Sequence, residues 1–310
     1  MNRKRWLALI LFLLVVFLAV VGLGRLTAQK ATGRWQETTL FGQGEKVLLL
    51  ELKGTIPTDK ALEDFLSQVR QAREDSGIKA VVLEVVSPGG GVTETEAIHR
   101  ALKSLAREKP LVASLGRVAA SGGYYAATAA REIFTAPTTI TGSIGAISIQ
   151  SQIQGLLDKL GVEVEVLKEG KFKDMASGLR PLTPEEKAVI QGYLREAYEL
   201  FVKRVAEGRR MPPEEVYRLA DGRIYSGAQA LALGLADREG YLEDAAQRAA
   251  ELAGLTGFRL VRYKKPKGLL AELLGDEPPF SFASDTQALL QALAQSHFRL
   301  EYRYLGGGLW

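Results

Sequence analysis

One serine, one lysine and three glycine-rich turns carry the chemistry this sequence could do. Ser121 stands in Gly116-Arg117-Val118-Ala119-Ala120-Ser121-Gly122-Gly123-Tyr124-Tyr125, after the apolar run Leu111 to Leu115 and before the alanine-rich Tyr124 to Ala130. This reads as strand, sharp turn and helix start. A serine in such a turn faces free backbone N–H groups and the positive end of the helix dipole, which suits a nucleophile generating an oxyanion. The same spacing also suits a plain helix cap.

A serine hydroxyl is a weak nucleophile until a base takes its proton. The chain has two histidines, His99 and His297. Helical spacing groups His99 with Thr95, Glu96 and Lys103 on the expected solvent face, and His297 falls in a loose tail, so neither has an orienting partner. A neutral lysine can replace histidine, and burial keeps an amine neutral. Lys173, in Gly170-Lys171-Phe172-Lys173-Asp174, is the candidate; the bland reading is an exposed lysine in a basic loop. Ser87-Pro88-Gly89-Gly90-Gly91 ends a strand and opens a helix, so its N–H groups could hold an oxyanion, or it could be an ordinary turn. No Gly-Lys-Ser, Gly-Lys-Thr or G-x-G-x-x-G follows, which argues against phosphate binding.

The elements that must position these groups alternate. Strands are expected at Lys46 to Leu52, Ile78 to Val86, Leu111 to Leu115 and Ile133-Phe134. Amphipathic helices carry Leu62, Phe65, Leu66 and Val69, then Ile98, Ala101, Leu102 and Leu105. Continuous apolar strands between such helices give an α/β fold with a mainly parallel sheet and flanking helices. Val162, Val164 and Val166 alternate with Glu163 and Glu165, as in a half-exposed strand. Thr183-Pro184-Glu185-Glu186 is a capping box that starts a long helix. A further helix follows Pro212-Pro213, and a short one ends at Gly234.

Residues Trp6 to Leu23 carry no charge and follow Arg3-Lys4-Arg5. A helix of that length covers about 27 Å, enough to span a bilayer core. No cleavage site is evident before Gln29, so the segment reads as an uncleaved anchor with its N-terminus in the cytoplasm. The expected organisation is 1–25 cytoplasmic tip and anchor, 26–45 linker, 46–265 α/β domain and 266–310 tail. Within the tail, Phe298, Leu300, Tyr302 and Tyr304 alternate like an edge strand. The absence of cysteine excludes disulfides, a thiol nucleophile and thiolate metal sites. The net charge of +4 is spread out and gives no nucleic-acid signature.

Ser87-Pro88-Gly89-Gly90, Ala119-Ala120-Ser121-Gly122-Gly123-Tyr124-Tyr125 and Thr141-Gly142-Ser143-Ile144-Gly145 together resemble the signal peptide peptidase A family of bacterial serine proteases. Lys171-Phe172-Lys173-Asp174, Asp221-Gly222-Arg223-Ile224-Tyr225-Ser226-Gly227 and the N-terminal anchor add to the resemblance, which runs from about Val47 to Tyr263. The chain looks like the family's short, single-domain form rather than the tandem-duplicated one. The resemblance implies a fold similar to that of Clp-type peptidases and crotonases, with Ser121 as nucleophile and Lys173 as general base. Gly122 with Gly89 or Gly90 would form the oxyanion hole, and Ser143 would orient the lysine. It also implies a homo-oligomeric ring and remnant signal peptides as substrates; with the positive-inside rule the domain is expected on the outer face of a bacterial membrane, and no cofactor or metal is expected. Tyr124 and Tyr125 could wall a substrate groove or pack in the core. A related protease for misfolded membrane proteins, a non-catalytic tethered scaffold and a crotonase-type acyl-CoA enzyme are the competing readings.

Overall fold

The computed structural model describes residues 35–265 and 301–303. Two compact units divide the chain. One comprises residues 1–38 and 263–282, described only at 35–38 and 263–265; the other comprises 39–262 and 283–310 and holds every residue of the candidate site. The expected anchor Trp6 to Leu23 lies outside the described residues. Among those described, no helix is long and apolar enough to cross a membrane.

The centre of the larger unit is a mainly parallel sheet whose middle strands are apolar along most of their length and whose edge strands are polar and exposed. Strands β1 (Gln36–Gly42), β2 (Glu45–Lys53), β3 (Ile78–Ser87), β5 (Leu111–Ala120), β6 (Glu132–Thr135), β9 (Arg238–Glu239) and β10 (Phe258–Lys264) run in the order β1-β10-β2-β3-β5-β6-β9. Neighbours from β10 through β9 pair in parallel. A strand buried on both faces needs helices on both sides. One face is covered by helix α8 (Leu242–Leu252), whose Ala245, Ala246, Ala249 and Ala250 pack on Val47, Leu49, Ala80, Val82 and Val112. Those small residues let the helix lie close to the strands. The alternate residues Leu48, Leu50, Val81 and Leu83 are also fully buried and project the other way. On that side α1 (Asp59–Glu74) touches β2 and β3, and α2 (Val92–Glu108) packs on α1.

Of all the strands, β5 matters most to the site. Its first half pairs with β3 and β6; its second half leaves β6 for β7 (Ile140–Gly142), in the register Val118 with Ile140, Ala119 with Thr141 and Ala120 with Gly142. It runs directly into α3 (Gly122–Ala127). The remaining helices are α4 (Gln154–Lys159), α5 (Pro184–Arg209), α6 (Pro213–Leu219) and α7 (Gly227–Ala232). The capping box at Thr183 forms as its sequence predicts, with Thr183 and Glu186 satisfying each other's backbone N–H groups.

Three local expectations change. Val162 to Val166 is not a strand: no described segment pairs with it, all three valines are exposed, and unpartnered strand backbone gains nothing over solvated coil. β1 falls within the stretch 26–45 that reads as a tether. His99 does not face solvent but is 3% exposed, because α2 is covered on a second side by α3. The tail residues Glu301–Arg303 form β11, which pairs antiparallel with β4 (Gly89–Gly91) in the register Tyr302 with Gly90.

Candidate active site

Ser121 is the hinge between β5 and α3. Its φ of 53° and ψ of −121° lie outside the regions comfortable for a residue with a β-carbon, a strain of about 1–3 kcal/mol that the surroundings must hold. They do so from both sides. The Ser121 N–H donates to Gly142 O (2.7 Å), and Ser121 O accepts from the Tyr125 N–H (2.8 Å). The hydroxyl makes no capping hydrogen bond, so the cap-only reading does not describe it. A sharp, strained strand-to-helix turn that frees a serine hydroxyl is the geometry of a nucleophile elbow.

Glycine is required around this turn because three backbones meet there. A β-carbon on Gly122 would lie 2.8 Å from Thr95 Oγ1 and 3.2 Å from the Gly89 Cα. One on Gly89, whose φ is 99°, would lie 2.7 Å from the Gly122 nitrogen. Gly89 and Gly122 are thus brought together as a pair. Gly122 opens α3, so its N–H has no carbonyl a turn earlier in the helix. The Gly89 N–H donates to Ser87 Oγ (3.1 Å), and Gly89 O accepts from the Ile56 N–H (2.8 Å). Gly90 is backed by Ile56, whose Cβ would be 2.7 Å from an added methyl.

The third glycine turn lies alongside. Ser143 follows Gly142 directly, has a φ of 51° and donates its N–H to Arg223 O (2.8 Å). Arg223 precedes β8 (Ile224–Ser226), which pairs antiparallel with β7. The stretches around Thr141 and Asp221, distant in sequence, therefore form one support beside Ser121.

Behind Ser121, Tyr124 and Tyr125 are fully buried. The Tyr124 hydroxyl donates to Leu235 O (2.8 Å) and the Tyr125 hydroxyl to Glu96 Oε2 (2.5 Å). Glu96 also accepts from Arg204 of α5 at 2.6 and 3.3 Å. Burial pushes the Glu96 carboxyl up, but hydrogen bonds from Arg204 and Tyr125 hold it below its ordinary range. His99 packs edge-on against Tyr125, centroids 5.2 Å apart. Burial depresses its imidazole to about 4, against the pull of Glu96 and with help from Arg204 and Lys103. It is a neutral core residue.

Strand β11 crosses this region. Tyr302 is fully buried, stacks on Tyr125 (5.2 Å), contacts Phe201 (4.9 Å) and donates its hydroxyl to Ala197 O. Its carbonyl would be 1.9 Å from a β-carbon on Gly89 and 3.1 Å from one on Gly122. Neither Tyr302 nor the Glu96–Arg204 pair stands out from sequence spacing, although the alternation in 298–304 marks the strand.

Lys173 is exposed, in a segment without helix or strand, and no hydrogen bond joins it to Ser121 among the described residues. No group of histidine, cysteine and carboxylate side chains suited to a metal occurs among the described residues.

A buried, strained serine at a strand-to-helix turn, with paired glycine backbones beside it on a mainly parallel α/β scaffold, is an arrangement suited to a serine hydrolase. The model of peptidase family S49 matches residues 103–256. A Synechocystis protein named "Putative protease slr0021" is 38% identical over 270 residues, 86% of this chain and 95% of that one. An Enterococcus faecium protein named "Putative signal peptide peptidase SppA" is 34% identical over 307 residues, 89% of each. Protease 4 of Salmonella typhi is 38% identical over 199 residues, 64% of this chain but 32% of its own length. The chain belongs to peptidase family S49, the signal peptide peptidase A family, and is a serine peptidase.

Proposed function

We propose that this peptidase cleaves remnant signal peptides and similar apolar peptides with a dyad of Ser121 and Lys173, while held at the membrane by Trp6 to Leu23. One observation carries the reading: the site already holds an extended peptide. Residues 301–303 lie antiparallel on Gly89–Gly91, with the Tyr302 carbonyl against the Gly89–Gly122 pair. A substrate strand on the same edge would gain main-chain hydrogen bonds in the same way. The relatives' names support the substrate class.

In this reading the neutral Lys173 amine takes the hydroxyl proton as Ser121 Oγ attacks the scissile carbonyl carbon. The resulting oxyanion is held by the Gly122 N–H and that of Gly89 or Gly90. A substrate oxygen would compete with Ser87 Oγ for the Gly89 donor. Collapse breaks the C–N bond, Lys173 returns the proton to the leaving amine, and an acyl-Ser121 ester remains. Water then attacks the ester carbonyl and gives its proton to Lys173; the acyl C–Oγ bond breaks, Lys173 returns the proton to Ser121 Oγ, and the acyl fragment leaves as its carboxylic acid. Ser143, beside Gly142, would hydrogen-bond the lysine and aim it. An amine stays neutral best when dry. The single chain leaves Lys173 in solvent, so the homo-oligomeric ring is part of the proposal: a neighbouring copy covers the lysine segment and completes the site. By the positive-inside rule the catalytic domain lies outside the cytoplasm, where membrane-resident peptides reach it by lateral diffusion.

The test is cleavage of an isolated signal peptide in detergent by wild type, Ser121→Ala and Lys173→Ala. Both variants should be inactive and remain folded. Cleavage of misfolded membrane proteins in preference to signal peptides would instead favour the related protease for misfolded membrane proteins.

A further inference from the structure

The general base of the proposed dyad sits in a stretch that has no regular structure to hold it. Between residues 167 and 180 the chain is a series of turns: the Lys173 N–H donates to Gly170 O (3.1 Å), Met175 N–H to Phe172 O (3.0 Å) and Ser177 N–H to Asp174 O (3.2 Å). Turns shape a loop but do not fix where it lies. At its far end the Ile153 N–H donates to Gly178 O (2.9 Å), a tie to a neighbouring exposed segment.

A stronger tie is made by Arg180. Its guanidinium grips Asp174, the residue after Lys173, through Nε to Oδ2 (2.9 Å) and Nη2 to Oδ1 (2.8 Å). Its other edge grips Glu186 through Nη1 to Oε2 (2.8 Å) and Nη2 to Oε1 (2.6 Å). Glu186 is 1% exposed and lies in the first turn of α5. Its Oε2 also accepts the Thr183 N–H (2.8 Å). Two bidentate contacts on one planar fork fix orientation as well as distance, which a flexible ammonium could not do. Hydrogen bonds from Arg180 hold both carboxyls below their ordinary range, Glu186 at about 2.

From Glu186 the path continues through packed side chains. α5 is seated on the body by Ile190, Val202 and Val205, and its Phe201 lies against Tyr125 (4.9 Å). Tyr125 belongs to the helix that Ser121 opens. The clamp also sorts the local charges. Lys168 is bound to Asp174 (2.5 Å) and Lys171 to Glu185, while Lys173 has no such partner among the described residues. With Asp174 fully occupied, its carboxylate does not capture the adjacent amine.

We infer that Arg180, acting through Asp174, is the positioning residue for Lys173, an inference that rests on the Ser-Lys reading. The test measures kcat and KM for a fluorogenic signal-peptide segment with full-length Asp174→Asn, Arg180→Gln, the double variant and Lys173→Ala. Asp174→Asn leaves the Arg180–Glu186 contact and the capping box intact, so it decides the matter if Arg180→Gln does not fold. The expected result is a kcat lowered at least tenfold in each single variant, with KM within twofold and the melting temperature of Asp174→Asn unchanged. The double variant should be no worse than the poorer single one, because the two residues act as a unit. Wild-type kcat in Asp174→Asn, alongside an inactive Lys173→Ala, overturns the clamp and leaves the dyad standing. An active Lys173→Ala overturns the dyad and the clamp with it.

Discussion

Gly89 and Gly122 press their backbones together, so that a β-carbon on Gly89 would fall 2.7 Å from the Gly122 nitrogen. Neither position has room for a side chain, and both backbones border the strained turn at Ser121. Gly89→Ala should therefore act twice. The positive φ of 99° makes alanine costly by about 1–3 kcal/mol, and the new methyl would wedge apart the two backbones proposed to donate to the oxyanion. Acylation of Ser121 should fall by about a hundredfold or more, with a lower melting temperature. Thermal melts alongside stopped-flow acylation separate the two effects.

The strand at 301–303 occupies the edge proposed for the substrate, so peptide and tail are expected to compete. Tyr302→Ala removes the ring that stacks on Tyr125 and the hydroxyl bound to Ala197 O. That variant should show a lower KM for a short extended peptide, because a larger fraction of sites is open. It should also be less stable, since a fully buried aromatic costs about 3–5 kcal/mol to truncate. Steady-state kinetics with two peptide lengths, together with a denaturant titration, checks both.

The buried His99 gives stability a pH dependence of known sign. Its folded value of about 4 lies below the ordinary 6.5, so the unfolded chain binds the proton first as pH falls. Stability is intact above about 6.5 and declines down to about 4, by about 3 kcal/mol in all. His99→Phe, which keeps a ring against Tyr125, should flatten that part of the curve. Urea unfolding of both proteins from pH 7 to pH 4 measures it.

Much of this was readable from residue order. The apolar runs at Val47, Ile78 and Leu111 announce parallel strands because nothing but full burial explains uninterrupted β-branched and leucine residues. Thr183 and Glu186 announce a helix start through a purely local exchange of hydrogen bonds. Ser121, Gly89 and Gly122 were legible as turn residues, but their meeting depends on β3 and β5 being neighbours, which is a property of the whole sheet. Helical spacing misplaces His99, because it shows one apolar face of α2 and not the second, which α3 covers. Val162 to Val166 misled because alternation describes a strand only when another strand is there to pair with it. Arg180 gave no signal: its two carboxylate partners are each six residues away, and only the folded loop brings them to one guanidinium.

The central claim is that Lys173 activates Ser121. The most direct measurement is the rate at which a fluorophosphonate forms a covalent adduct on Ser121, followed by intact mass, in wild type and in Lys173→Ala assembled to the same size. Rapid single-site labelling of wild type and labelling slowed by at least about a hundredfold in Lys173→Ala are predicted. Equal rates in the two proteins, with Ser121→Ala unlabelled, would show that the serine is a nucleophile and that its base is not Lys173.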